Sequence, residues 1–189
     1  VFCNMTQSSA TRWHSFDSQD NINQAATARI LQAASEAIQA QGSFYVVLAG
    51  GSTPKAVYQL LSEQQADWAN WHVFHNDDRC LPVDHEERNS KMARDAWLSK
   101  VAIPEQQIHE IPAELGNVAG AKAYAETLKD VRTFDLVILG LGEDGHTASL
   151  FPNQTVDNSA DAVPVFDAPK PPADRITISQ SRLNNTKEV

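Results

Sequence analysis

The sequence predicts an α/β protein: a single domain with a mainly parallel sheet flanked by helices. Three observations carry that prediction. Two compact apolar runs, residues 44–49 and 134–139, each lead into a glycine-rich turn, as buried parallel strands do. Stretches of helical period lie between the strand-like runs, and such alternation argues for crossover units. The 189 residues hold no internal repeat and no long linker, which suits one domain spanning 1–189.

The elements follow in order. Residues 10–16 alternate weakly and predict a first strand. Asp17 is placed to cap a helix running to Gln41, with Ile22, Ala26, Ile30, Ala33, Ala34 and Ala37 at helical spacing and Gly42 as its C-cap. The apolar strand from Phe44 to Ala49 ends in the turn Gly50-Gly51-Ser52-Thr53. Pro54 then opens a helix at its first position, where a missing N–H costs nothing, and Val57, Tyr58, Leu60 and Leu61 form its buried face. A strand fits Trp71 to His75, a polar loop fits 76–88, and Asn89 is placed to cap a helix carrying Met92, Ala96 and Trp97. A short strand over 108–111, a helix over 117–130 and the buried strand 134–139 follow. Beyond Leu150 the prolines at 152, 164, 169, 171 and 172 exclude a long helix, and residues 175–179 return to strand alternation. Residues 184–189 read as the start of a further segment.

Composition removes several functions. Lys and Arg number 15 against 24 Asp and Glu, a net charge of −9, which argues against a nucleic-acid partner. No run approaches the roughly 18 apolar residues of a membrane span. Cys3 and Cys80 form neither a disulfide framework nor a CxxC pair, and the N-terminal residues lack the pattern of a secretory signal, so a reducing cytoplasm is expected. His72 and His75, three apart on a strand, point to opposite faces and cannot chelate together, and HExxH lacks its second histidine at 85–89; no metal is expected. The four tryptophans read as core and rim packing.

In parallel sheets ligands gather where strands end, which directs attention to 50–54, 75–80 and 140–147. Gly50, Gly51, Ser52 and Thr53 offer backbone N–H groups and two hydroxyls at a helix N-terminus, an anion cradle; the plainer reading is a tight turn with Thr53 as N-cap. A serine-nucleophile elbow fails at Pro54, where glycine is required. Arg79, after Asp77 and Asp78, offers a permanently charged fork for phosphate or a polarised carbonyl, against the alternative of a solvated turn with an internal ion pair. Gly140-x-Gly142-x-x-Gly145 matches a dinucleotide fingerprint in letters, but Pro152 arrives before a helix of the needed length can form. Asp144-Gly145-His146 then stands out: an imidazole suited to general-base work at neutral pH, with a carboxylate near enough to orient it, against the alternative of a plain Asp-Gly turn.

Together these segments resemble the 6-phosphogluconolactonase family, which belongs to a wider group with glucosamine-6-phosphate isomerase/deaminase. Leu48–Pro54 is similar to the family's phosphate turn, 76–82 (NDDRCLP) to its G-D-E-R-x-V-P segment, and 140–152 (GLGEDGHTASLFP) to its longest signature. The deaminase branch continues D-G-H-I-A-F-N-E-P, with a glutamate for ring opening; here Thr-Ala-Ser-Leu-Phe-Pro follows His146. The resemblance implies a modified Rossmann-like fold and hydrolysis of 6-phosphoglucono-δ-lactone in the oxidative pentose phosphate pathway, without a cofactor. It implies His146 as the base, Asp144 as its orienter and Arg79 as oxyanion or substrate holder. Gly50, Gly51, Ser52 and Thr53 would anchor the phosphate, with Lys170 or Arg175 as second cation. A small sugar-phosphate lactone is the expected partner and a monomer the expected state. The rivals are an isomerase/deaminase and a non-catalytic sugar-phosphate sensor. The family pattern continues past position 189 through another strand and a helix bearing Gly-x-x-Lys, so the domain is expected to lack the family's C-terminal segment.

Overall fold

Helix α1 (Gln19–Gln41) is the first regular element among the residues that the computed structural model describes, 11–155 and 157–189. Of the segment expected as a first strand, residue 10 lies outside the described residues and 11–16 are irregular, with Trp13 91% exposed. Weak alternation without a neighbour to pair with makes no strand. Ser18, not Asp17, caps α1, its hydroxyl accepting from the Asn21 N–H at 3.2 Å. The helix stops where expected: Gly42 is left-handed (φ 84°) and donates to Ile38 O at 2.9 Å. Its buried face runs through Asn23, Thr27, Ile30, Ala33, Ala34 and Ala37, whereas Ile22 stays exposed.

Strand β1 (Phe44–Leu48) leads into α2 (Ser52–Leu61). Pro54 is the third helical residue rather than the first, still within the first turn, where a backbone N–H would have no helical partner to lose. Strand β2 (Trp71–His75) pairs parallel with β1, Phe44 opposite Trp71 through Leu48 opposite His75. Strands β4 (Ile108–His109) and β5 (Leu136–Val137) complete a parallel sheet of order β4-β2-β1-β5. Strand β5 is shorter than the apolar run 134–139 that predicts it. The ladder reaches past its ends, since Asp135 and Ile138 donate to Tyr45 O and Val47 O at 2.9 Å.

The expected polar loop 76–88 is not all loop. Strand β3 (Asp77–Arg79) continues directly from β2, and its neighbours are antiparallel, in the order β3-β7-β6, with β6 Ala162–Val165 and β7 Arg175–Ile178. Asn76 is the bend between the sheets: its N–H donates to Leu48 O at 2.9 Å and its carbonyl accepts from Ile178 N at 2.7 Å. Helix α3 (Asn89–Ala96) begins at Asn89, which is therefore its first residue and not its cap.

Two apolar clusters cover the parallel sheet. One joins it to α1, α2 and α3 around Trp68, Trp71 and Trp97, the last two fully buried and their rings 5.6 Å apart. The other packs Val47, Phe74 and Val137 against helix α4 (Asn117–Leu128), Phe134 and the apolar face of the second sheet, Ile176 and Ile178. Beside β5, Val137 N donates to Glu188 O at 2.9 Å and Phe134 bridges Thr186, so residues 185–188 run parallel along it, before which comes the short helix α5 (Gln180–Leu183).

Candidate active site

The chain leaves β1 through α2 to one side, reaching β2 and then β4, and returns through α4 to β5 on the other side of β1. The strand order thus reverses between β1 and β5. Loops leaving such a pair diverge and open a crevice at the carboxyl ends of the strands. Those loops are the glycine turn 50–53 and the histidine loop 140–151. They start close together: a Cβ built on Gly140 would lie 3.9 Å from Gly50 O.

Buried tyrosines pin the strand ends that carry the crevice. The Tyr58 hydroxyl accepts from Ala49 N and donates to Ala49 O, both at 2.9 Å. The Tyr124 hydroxyl does the same for His75, at 3.0 and 3.1 Å. Burial raises both phenols well above their ordinary value, so they stay neutral and able to donate. In the turn, Gly51 precedes α2, while Ser52 and Thr53 are its first exposed residues. Neither hydroxyl caps the helix, so Thr53 is not an N-cap, and the first-turn N–H groups keep their positive end toward the crevice.

The histidine loop folds back on itself. Gly142 N donates to His146 O at 2.8 Å and Gly145 N to Gly142 O at 2.9 Å. His146 Nδ1 is hydrogen-bonded to Asp144 Oδ1. That bond holds the Asp144 carboxyl below its usual range. The ring lies against Gly142 so closely that a Cβ there would fall inside it, so glycine at 142 is a steric condition for this pairing. The His146 side chain is 19% exposed and packs on Phe151, centroids 4.9 Å apart.

Beneath this loop lies one face of the second sheet. Asp77 stands opposite Thr177 and Arg79 opposite Arg175, and directly opposed residues share a face. The loop rests there: Ser149 Oγ donates to Asp77 Oδ2 at 2.6 Å, and the Arg175 guanidinium lies 5.6 Å from the Phe151 ring centre. Arg79 Nη1 donates to Glu87 O, while its Nε is buried with no partner among the described residues. Arg175 is buried, and its Nε and Nη2 donate to Pro172 O (3.1 Å), Lys170 O (2.8 Å) and Pro171 O (3.3 Å). Burial first, and Arg79 second, lower the Arg175 pKa. Lys170 is exposed on the loop that Arg175 holds. Arg175 is thus committed to shaping that loop.

The two acidic residues before Arg79 form no solvated turn. Asp78 is fully buried, and the cation beside it is Arg88, not Arg79: Arg88 Nε donates to Asp78 Oδ2 at 2.9 Å. The same carboxylate accepts from Asn89 N (2.8 Å), Ser90 N (3.3 Å) and Ser90 Oγ (2.7 Å), which caps α3 from outside its own sequence. The sequence offers Asp78 as part of a turn, Asn89 as a cap and Tyr58 as core, and singles out no role for Arg88, Ser149 or Tyr124.

The family model described as glucosamine-6-phosphate isomerases/6-phosphogluconolactonase matches residues 17–189. The chain belongs to this family. Within it, a probable chloroplastic 6-phosphogluconolactonase 3 from Oryza sativa subsp. indica is 35% identical, with 92% of this chain and 59% of the rice protein covered. The 6-phosphogluconolactonase of Mycobacterium tuberculosis is 36% identical over 92% of this chain and 77% of its own. The crystal structure of a 6-phosphogluconolactonase from Shewanella baltica superposes with a TM-score of 0.84 at 31% identity, covering 94% of this chain and 78% of that one. The chain thus spans about three fifths of the rice relative's length. The α/β fold with its parallel four-stranded sheet is the family's fold.

Proposed function

We propose that this chain hydrolyses 6-phosphoglucono-δ-lactone to 6-phosphogluconate. The hydrogen-bonded Asp144–His146 pair, on the loop whose first residue approaches Gly50, is the observation that carries the reading. With Nδ1 committed to Asp144, the tautomer that donates there leaves Nε2 as a base. Water attacks the lactone carbonyl while Nε2 takes its proton. The tetrahedral intermediate then expels the ring oxygen, which recovers the proton from the imidazolium, and the ring C–O bond breaks. A lactone is an activated ester, so positioning, one base and oxyanion stabilisation suffice, and no metal or cofactor enters.

The first-turn N–H groups at Gly51, Ser52 and Thr53 receive the phosphate at the positive end of α2. Arg79 and Arg175 give a protein of net charge −9 a locally cationic floor, in which Arg79 steadies the developing oxyanion. Lys170 is the exposed cation on the adjoining loop and is assigned to the phosphate. In this reading the whole unit acts as one domain, as a monomer, in the cytoplasm and in the oxidative pentose phosphate pathway. None of the described helices is long and apolar enough to cross a membrane.

The test is acid release from freshly generated lactone, with spontaneous opening subtracted, alongside ammonium release from glucosamine 6-phosphate. Acceleration of the first and none of the second is expected. Ammonium release without lactone opening would overturn the reading in favour of the isomerase/deaminase branch.

A further inference from the structure

Asp77 is 5% exposed, lies on the polar face of β3, and reaches two site segments through its two oxygens. Its Oδ2 accepts from Ser149 Oγ at 2.6 Å. Its Oδ1 accepts from Asn89 Nδ2 at 2.9 Å, and Asn89 also donates to Asp77 O at 3.1 Å. Each partner is itself buried, Ser149 on the histidine loop and Asn89 at the start of α3.

Ser149 sits inside the tight turn after the base. Thr147 and Leu150 exchange backbone hydrogen bonds at 3.3 and 2.9 Å, Ala148 between them has φ 50°, and Ser149 N donates to Thr177 Oγ1 at 3.4 Å. A shift of Ser149 therefore carries Thr147 and His146 with it. Asn89 sits under the other segment: its side chain fills the space where a Cβ on Gly50 would stand. Displacing Asn89 therefore removes the floor of the glycine turn.

We propose that Asp77 is a positioning residue that sets the spacing between the glycine turn and the His146 loop, one carboxylate oxygen for each. The inference rests on the lactonase reading above and deepens it. Asp77 touches no reacting atom in this scheme; it acts through Ser149 on the base and through Asn89 on the anion cradle. The geometry fits an ionised carboxylate, with two donors facing two acceptors, even though burial raises the Asp77 carboxyl above its ordinary value; the Ser149 hydrogen bond and the neighbouring Arg79 and Arg175 pull it back.

The two arms can be cut separately. Ser149→Ala frees the histidine loop alone, and because ~1 Å of misplacement can cost about 10²-fold, kcat is expected to fall by roughly 10–10²-fold with KM within about threefold of wild type. Asn89→Ala loosens the glycine turn, and KM is expected to rise by about 10-fold with a smaller change in kcat. Asp77→Ala combines both losses; if it fails to fold, the two single-arm variants still decide. Melting curves, binding of 6-phosphogluconate by calorimetry and the His146 imidazole NMR signals accompany the kinetics. The His146 signals should move in Ser149→Ala, and product affinity should drop in Asn89→Ala. If both variants lost melting temperature alike while kcat and KM of the folded fraction matched wild type, Asp77 would be purely structural and the proposal overturned. The NMR and calorimetric readouts do not depend on turnover, so a wild-type protein inert toward the lactone would defeat the functional reading separately.

Discussion

Asp78 and Asp144 are both carboxylates in segments that follow the end of a parallel strand, and they behave oppositely. Asp78 is fully buried and surrounded by donors from Arg88, Asn89 and Ser90. Asp144 is exposed and, among the described residues, is bound outside itself only by His146. A saturated buried carboxylate holds elements together, because moving it strands a guanidinium in the interior. A carboxylate with one partner and open water can only orient that partner. Burial and partner count sort the two jobs.

The comparison predicts its own breaking points. The largest effect is expected from Asp78→Ala, which leaves Arg88 buried and unpaired; urea denaturation should show a loss of about 3–5 kcal/mol, the range for breaking a buried pair. Asp144→Ala should leave the melting curve in place, and equal destabilisation by the two would erase the distinction. Gly142→Ala comes next. Its methyl group displaces the imidazole without removing it, so kcat should fall by roughly 10²-fold while the fold persists. Asp144→Asn weakens the acceptor for Nδ1–H and should cost about 10-fold in kcat, with little change in KM.

The smallest effect is a pH dependence of stability. Burial lowers the pKa of His72, His75 and His109 in the fold. Their neutral forms are favoured when folded, whereas the unfolded imidazoles take up protons near ~6.5. Stability from these residues is therefore present above ~6.5 and lost as pH falls through that value. Asp77, raised by burial, works in the opposite direction, favouring the fold as its carboxyl protonates. Denaturation midpoints at pH 8 and pH 5.5 should differ in favour of pH 8; a flat profile would contradict the assignment.

What the sequence made legible follows a physical line. Strand β2 falls at Trp71–His75 as expected, and α1 ends at Gly42, because apolar period and glycine capping are local signals. The Asp144–His146 pair was legible for the same reason, being two residues apart. Strand β3 was not, since its burial depends on Arg88 ten residues on, Ser149 seventy-two residues on and β7 further still. Asn89 has the chemistry of an N-cap but stands one place inside the helix, because Asp78 already supplies the capping oxygens. Arg175 showed a charge but not that backbone carbonyls occupy its Nε and Nη2 donors.

The central claim is that the His146 imidazole, held by Asp144, is the base that opens a phosphorylated lactone. Stopped-time acid release from freshly generated 6-phosphogluconolactone, for wild type and His146→Ala at equal folded concentration, tests it most directly. A loss of about 10²–10⁴-fold in the enzymatic rate, the usual worth of a general base, is the predicted result. Equal rates for the two proteins would contradict it.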